Sequence, residues 1–378
     1  MSKVIAIVTS TYKNITSGVG TYANILVDAL IESGNEVYII SPDCDDNPPY
    51  FIKVGTPKIS LTPNRWFELS VKYSQILEGL KNKVQIVHFL DAREALFFKK
   101  QGGIFLLGTV HDTYSWDLQS QSILKNHFLD WKKRLIYYYF LHKFEKVAYR
   151  RFDLLLSNTD YVRERLYHFY DIPEGKVKTV HLPAPIEIVN LNSCEKKELR
   201  DKYIISFVGG NFQRKGLMGL IKAVNELKKE GYDIKIVVAG RDKNQKLIEK
   251  WISERHLNNI VEFKGHLKRD EVKKIIMDSD IFAMPSITEA YGLVYLEAMA
   301  LGVPVIGTKE GGAKEIINEG VNGFLCDPSD TKDIADKIKK SLDKRIRKKL
   351  IENGFQTVEK FSKKTFIDEM LEVYENIK

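Results

Sequence analysis

Short, nearly unbroken apolar runs alternate with longer amphipathic stretches along the whole chain. Val4–Ser10, Glu36–Ile40, Ile86–Leu90, Ile104–His111, Leu154–Asn158 and Val177–Leu182 have the length and side-chain types of strands. Several are apolar at successive positions, not alternate ones, which suits strands covered on both faces, as in parallel sheets. Helical stretches fall between them, such as Tyr22–Ser33, stopped by Gly34-Asn35, and a helix ending near Tyr170. The alternation restarts with Tyr203–Gly209, Ile234–Gly240, Val261–Gly265, Ile281–Pro285 and Val303–Thr308. Polar residues Asn190–Lys197, reached after Pro173, Pro183 and Pro185, read as a linker between the two series. The pattern therefore predicts two α/β domains, 1–188 and 198–360, followed by an amphipathic segment Phe361–Asn376.

Length and composition leave that picture intact. The 378 residues suit two domains of roughly 180 residues each better than one core. No stretch is long and apolar enough to span a bilayer. The opening Met1–Val8 reads as a first strand and not as a signal peptide. Cys44, Cys194 and Cys326 form no framework and no metal spacing, so a reducing, cytoplasmic setting is expected. The net charge of +8 is concentrated in places. Trp131–Arg151 mixes cations with aromatics, which fits either a face for an anionic membrane or a core helix with a solvated basic side. No nucleic-acid module accompanies it, so no nucleic-acid partner is expected.

The chemistry gathers where predicted strands end. Ile281–Pro285 leads into a loop holding Glu289 and Gly292, and from Leu293 a helical period begins, with Leu293, Leu296, Ala300 and Leu301 on one face. Carboxyl ends of strands are where open α/β sheets bind ligands, and a helix start offers free N–H groups to an anion. Glu289 and Glu297 are eight residues apart. They are either two hydroxyl clamps flanking a phosphate, or a helix-start glutamate and a solvated one. Gly209-Gly210-Asn211-Phe212-Gln213-Arg214-Lys215-Gly216 follows another strand and is expected to open a helix at Lys215. Its glycines permit close backbone approach, and its two cations suit a diphosphate. Ser17–Ala23 contains Gly18 and Gly20 ahead of a helix and mimics a dinucleotide-binding turn, with Asp43 at the place of a ribose carboxylate. Thr109-Val110-His111-Asp112 ends a strand and enters a loop, where the histidine is either structural or catalytic and the aspartate orients the loop. Arg241 follows Gly240 at one more strand end, and Glu315 suits a helix start. Asp278-Ser279-Asp280 reads as a helix end and Asp43–Asp46 as a solvated loop, so no metal site is expected.

Glu289 and Glu297 in their strand–loop–helix, followed by Gly311-Gly312 and Gly320–Pro328, resemble the retaining nucleotide-sugar glycosyltransferases of the GT-B fold, glycosyltransferase family 4. The resemblance covers nearly the whole chain. It implies two facing Rossmann-like domains with a cleft between them, and a final helix, 361–378, that returns to the first domain. It implies an acceptor-binding first domain and a donor-binding second one. A sugar would pass, with retention, from a nucleoside-diphosphate donor, UDP foremost, to a glycan or lipid-linked acceptor. It assigns catalysis to Glu289, His111, Arg214 and Lys215. Donor binding falls to Gly18, Gly20, Gly210, Arg214, Lys215, Ala290, Tyr291, Gly292, Leu293 and Glu297, without a metal or another cofactor. The family often has an arginine right after the first glycine of the phosphate loop; Gly210 stands there, so the charge falls on Arg214 and Lys215. A cytoplasmic enzyme in peripheral contact with an anionic membrane follows. Two alternatives remain: a GT-B epimerase or phosphorylase, and a non-catalytic or NAD-binding protein using the Gly18–Ala23 turn.

Overall fold

A computed structural model describes residues 2–12, 18–43, 51–58, 63–100, 102–114, 131–188 and 202–377, and of 131–135 the backbone alone. Ser17, Cys44, Asp45, Asp46, Cys194 and the linker Asn190–Lys197 lie outside the described residues. The chain divides into two compact units, Met1–Pro183 with Lys363–Lys378, and Ala184–Ser362.

The first unit is built in the order β1 (Val4–Val8), α1 (Gly18–Glu32), β2 (Glu36–Ser41), β3 (Phe51–Lys53), α2 (Asn64–Leu80), β4 (Ile86–Phe89), β5 (Phe105–Val110), α3 (Trp131–Tyr149), β6 (Leu154–Ser157), α4 (Asp160–Tyr170) and β7 (Val177–Thr179). Its sheet is parallel throughout, in the order β3-β2-β1-β4-β5-β6-β7. Ile5, Ile7, Val87, Phe89, Leu106 and Leu107 are wholly buried, as strands covered on both faces require.

The second unit runs β8 (Tyr203–Val208), α5 (Leu217–Lys229), β9 (Ile234–Ala239), α6 (Gln245–Ser253), β10 (Val261–Gly265), α7 (Arg269–Asp278), β11 (Ile281–Ala283), α8 (Leu293–Ala300), β12 (Val305–Thr308), α9 (Ala313–Ile316), β13 (Phe324–Cys326), α10 (Thr331–Leu342) and α11 (Lys344–Lys360). Its sheet is also parallel, in the order β10-β9-β8-β11-β12-β13. Successive strands are added on one side of β8 and then on the other. The order therefore switches between β8 and β11, and the loops leaving those two strands flank a crevice.

The last helix, α12 (Lys363–Asn376), belongs to the first unit. Phe366, Met370, Val373 and Tyr374 are its buried face. The Phe366 ring meets Tyr22 edge-on, with centroids 5.5 Å apart. Beneath it runs a buried polar chain: the Tyr374 hydroxyl lies 2.6 Å from His88 Nδ1, His88 Nε2 lies 2.8 Å from Thr109 Oγ1, and Thr109 Oγ1 lies 3.0 Å from the Tyr22 hydroxyl. Burial pushes His88 down to about 3, so it is neutral and fully used as donor and acceptor.

A second buried group gives this unit a pH dependence. The Glu145 carboxylate on α3 accepts hydrogen bonds from Tyr114 N (2.9 Å), the Tyr149 hydroxyl (3.1 Å) and the Tyr170 hydroxyl. Burial raises it from 4.5 to about 8, against the pull of Arg93, whose Nη1 lies 3.8 Å away. The folded state thus holds a proton that the unfolded chain has released. Stability falls as pH rises from the ordinary value toward about 8 and levels off above it. Glu145→Gln removes that titration, so its melting temperature should gain on the wild type between about pH 5 and about pH 8. Parallel melting curves across that range would mean an ionised Glu145 in the folded protein.

Candidate active site

In the second unit the crevice between β8 and β11 is lined by two loops that the backbone locks together. The first leaves β8 through Gly209, whose φ of 133° and lack of a side chain make room for Lys215; a Cβ there would lie 2.8 Å from Lys215 Cδ. Phe212 N donates to Asp242 Oδ2 at 2.6 Å, tying the loop to the end of β9. The helix begins at Leu217 and not at Lys215, because Gly216 in the left-handed region (φ 82°) caps it. Gly216 also packs so closely on the next loop that a Cβ would stand 1.8 Å from Pro285 O. Lys215 therefore lies in the loop, with its side chain across the crevice.

The second loop leaves β11 at Pro285. Ile287 N donates to Arg214 O at 2.7 Å, and Arg214 Nη1 donates back to Thr288 O at 3.2 Å. Glu289 follows, nearly buried, with Oε2 3.5 Å from Lys215 Nζ and 3.3 Å from Ser286 Oγ, which donates to it. Lys215 Nζ also lies 3.2 Å from Met284 Sδ. From behind, Gly312 N donates to Glu289 O at 2.8 Å, and Gly311 forms a parallel bridge to Glu289. Gly292, at φ 92°, caps α8, and the Tyr295 hydroxyl donates to Met284 O at 2.8 Å.

Of the first-turn amides of α8, Tyr295 N donates to Gly292 O at 2.9 Å, which leaves those of Leu293 and Val294 at the helix start as anion donors. Arg214, Lys215, Glu289, Ala290, Tyr291, Gly292 and Leu293 thus share one loop pair at the sheet's switch point. Glu297 sits in the second turn of α8, half-buried on the same side as Leu293. Loss of solvation raises its carboxyl, with Arg269 and Lys273 pulling it back down. The expected single apolar stripe on this helix is not found, because Tyr295, Leu296, Ala298, Met299 and Ala300 are all buried. Gly210 packs on the Arg241 carbonyl, at 3.0 Å from a built Cβ, while the Arg241 side chain is exposed. Glu315 lies in the first turn of α9, the helix-start place read from its sequence.

The remaining sequence-predicted residues belong to the first unit. His111 follows β5, half-buried, with its ring edge-on to Tyr22 at 5.6 Å. Its Nε2 lies 2.8 Å from Leu90 O, and a carbonyl only accepts, so Nε2 carries the hydrogen. Desolvation lowers its pKa, although Asp91 and Asp112 oppose this, so the ring is neutral and Nδ1 presents a lone pair. Sequence reasoning missed what holds this loop. Asn158 Nδ2 donates to His111 O at 3.0 Å. Arg93 binds Asp91 through Nε (2.8 Å) and Nη2 (2.8 Å), reaches Asp112 through Nη1 (3.0 Å), and stacks over Trp66 with 5.0 Å to the ring centre. Asp91 and Arg93 follow β4, so the strand-end rule applied to Gly209 and Glu289 would have found them.

Two further expectations need correction. Gly18 and Gly20 lie inside the first turn of α1, not in a loop ahead of it. Asp43 is not solvated: Oδ1 accepts from Tyr12 N (2.7 Å) and Ser41 Oγ (2.7 Å), which brace the ends of β1 and β2 against each other. A ribose carboxylate for a dinucleotide is thereby already committed on one oxygen. Asp278-Ser279-Asp280 is the expected helix end, since α7 stops at Asp278, and Asp280 is in addition a strut, accepting from Ile204 N at 2.8 Å with Arg347 3.7 Å away. Among the described residues no group of three or more His, Cys, Asp or Glu is placed to hold a metal.

Two parallel α/β units, a switch-point crevice and a returning helix define the class: this is the GT-B fold. The family model described as "Glycosyl transferases group 1" matches residues 192–357, and "Glycosyltransferase Family 4" matches residues 16–187. The chain belongs to this glycosyltransferase family. It is 32% identical over 224 residues to an uncharacterized glycosyltransferase of Methanocaldococcus jannaschii, covering 56% of this chain and 57% of that one. The match thus spans little more than half the length of that curated relative. Sucrose-phosphate synthase from Thermosynechococcus elongatus superposes with a TM-score of 0.78 over 99% of both chains at 20% identity. Anabaena HepE, solved with UDP and glucose, does so with a TM-score of 0.72 over all of both chains at 17% identity. These structural likenesses establish the fold.

Proposed function

We propose that this protein transfers a sugar, with retention of anomeric configuration, from a nucleoside-diphosphate sugar to a glycan or lipid-linked acceptor. The observation that carries the reading is Lys215 Nζ held 3.5 Å from Glu289 Oε2 at the switch point, beside the start of α8 at Leu293. Cation and helix-start amides suit a diphosphate, while the carboxylate beside them accepts from hydroxyls, as a sugar clamp must. UDP is the favoured nucleotide, since a protein of this fold, HepE, was solved with it.

In this mechanism Glu297 holds the ribose hydroxyls, and Arg214, Lys215 and the α8 amides take up the negative charge that develops on the leaving diphosphate. Those cations and amides supply the neutralisation that a divalent ion would otherwise give. Glu289 positions the transferred sugar, and in the first unit the His111 Nδ1 lone pair is suited to accept from a sugar hydroxyl. No residue is placed as a covalent nucleophile among those assigned to the site, so the acceptor hydroxyl attacks on the face that the diphosphate leaves. The first unit, Met1–Pro183 with the final helix, binds the acceptor; the second, Ala184–Ser362, binds the donor. The enzyme works in the cytoplasm, against the inner face of a membrane.

A thermal-shift screen with UDP, GDP, ADP, their sugar conjugates and NAD tests the reading, since a ligand that binds only the native state raises the melting temperature. One nucleotide family should shift the wild type and fail to shift Glu297→Ala. A shift with NAD alone, or with no nucleotide, would overturn the assignment.

A further inference from the structure

The helix α3 has two faces that do different work. Inward, Leu141, Glu145, Ala148 and Tyr149 are buried, and Glu145 holds the amide of Tyr114 just beyond His111. Outward, Ile136, Phe140 and Val147 are 57%, 56% and 51% exposed, and Tyr137 and Tyr139 are 41% and 48% exposed. Residues 136, 140, 143, 147 and 150 repeat at helical spacing and form one stripe. At about 1.5 Å per residue that stripe is roughly 20 Å long. The cations on and beside it are Lys143 and Lys146 of α3 and Arg150 just past its end. Lys143 Nζ sits 5.2 Å over the Tyr139 ring, while Lys146 Nζ (2.5 Å) and Arg150 Nη2 (3.0 Å) share the Asp171 carboxylate. Three cations thus face one anion. Lys143, Lys146, Val147 and Arg150 line a shallow recess on this face.

We propose that the outer face of α3 docks on an anionic phospholipid surface. Bulky apolar tips flanked by long cationic side chains match a helix lying in the interface: the apolar tips reach the acyl boundary while the ammonium and guanidinium groups meet lipid phosphates. Two copies of this chain meeting through the stripe would set cations against cations, so self-association is disfavoured. The inner face is anchored by its own packing and hydrogen bonds, which makes the stripe a platform and not a segment that must fold on contact. The docking stands on α3 alone; it rests on the proposed activity only for its purpose, bringing the His111 end of the first unit to lipid-linked acceptors.

The test is co-sedimentation of the full chain with vesicles of phosphatidylcholine, with and without phosphatidylglycerol. The wild type should bind the anionic vesicles, bind the neutral ones at least about tenfold more weakly, and lose binding as salt rises. Lys143→Glu/Arg150→Glu should lower the anionic partition by about two orders of magnitude, since each reversal both removes an attraction and adds a repulsion. Ile136→Ser/Phe140→Ser should lower it by about tenfold or more through lost apolar burial. Both variants should stay folded, with a cooperative melting transition, and keep the wild-type shift with UDP. That readout separates failure of the docking face from failure of the donor site. Equal binding to both vesicle types, wild-type binding by both variants, or a wild-type dimer in gel filtration that Ile136→Ser/Phe140→Ser dissolves would overturn the proposal.

Discussion

Glu289→Gln should lower sugar transfer by about two to three orders of magnitude while leaving the melting temperature nearly unchanged. The amide has the shape of the carboxylate, so the loop from Pro285 to Gly292 keeps its backbone bonds to Arg214 O and Gly312 N. What changes is charge. Lys215 Nζ loses the anion 3.5 Å away, and Ser286 Oγ faces an oxygen or an NH₂ where it faced a carboxylate. A sugar hydroxyl that donated to Glu289 then meets a poorer acceptor or another donor. The measurement is initial transfer rate beside the donor-induced thermal shift. A lost rate with a retained shift places Glu289 on the transferred sugar, and a wild-type rate would reduce Glu289 to a structural partner of Lys215.

Gly311→Ala should both destabilise the second unit and impair donor binding, although Gly311 bears no chemistry. Its φ of 94° already disfavours a side chain, and a Cβ would lie 2.2 Å from Glu289 O and 3.0 Å from Glu289 N. The Glu289 loop must therefore move, carrying the carboxylate off Lys215. A cost of about 2–4 kcal/mol is expected, from left-handed strain and overpacking together. Gly231→Ala is the control, because Gly231 has nearly the same φ, 95°, with nothing within 4 Å of a built Cβ. It should cost only about 1–2 kcal/mol and leave donor binding intact. Similar losses in both variants would show that backbone strain alone, and not the contact with Glu289, sets the Gly311 requirement.

Much of the sheet was legible because parallel strands bury both faces. Ile86–Phe89, Val261–Gly265 and Tyr203–Val208 fall within a residue of the expected limits. Phe51–Lys53 and Phe324–Cys326 were missed, since three residues carry too little pattern to separate a strand from a loop. The helix of Asn64–Leu80 was also missed, although its buried positions Trp66, Leu69, Tyr73, Leu77 and Leu80 recur at helical spacing. On α8 the expected stripe gave way to burial almost all round, because a helix packed by neighbours on several sides has no solvent face for a stripe to define.

The donor loops illustrate where local reading stops. Glu289, Gly292, Arg214 and Lys215 stand out as polar residues and glycines at the carboxyl ends of apolar runs, and so does His111. Which groups meet is a matter of the sheet's order. Lys215 finds Glu289 because β8 and β11 are neighbours, and Asp43 is taken up by Tyr12 N because β1 and β2 are. Asn158 reaches the His111 carbonyl across the β5–β6 pair in the same way. By itself the sequence determined the alternation of strand and helix, the glycines that must stay glycine at strand ends, and the charges available there, because these follow from periodicity and local backbone sterics. Only the tertiary structure decided which carboxylates are struts and which face a crevice, that His111 is neutral with its lone pair on Nδ1, and that α3 keeps an apolar, cationic face uncovered. Each of those depends on partners far along the chain, brought near by strand pairing and burial.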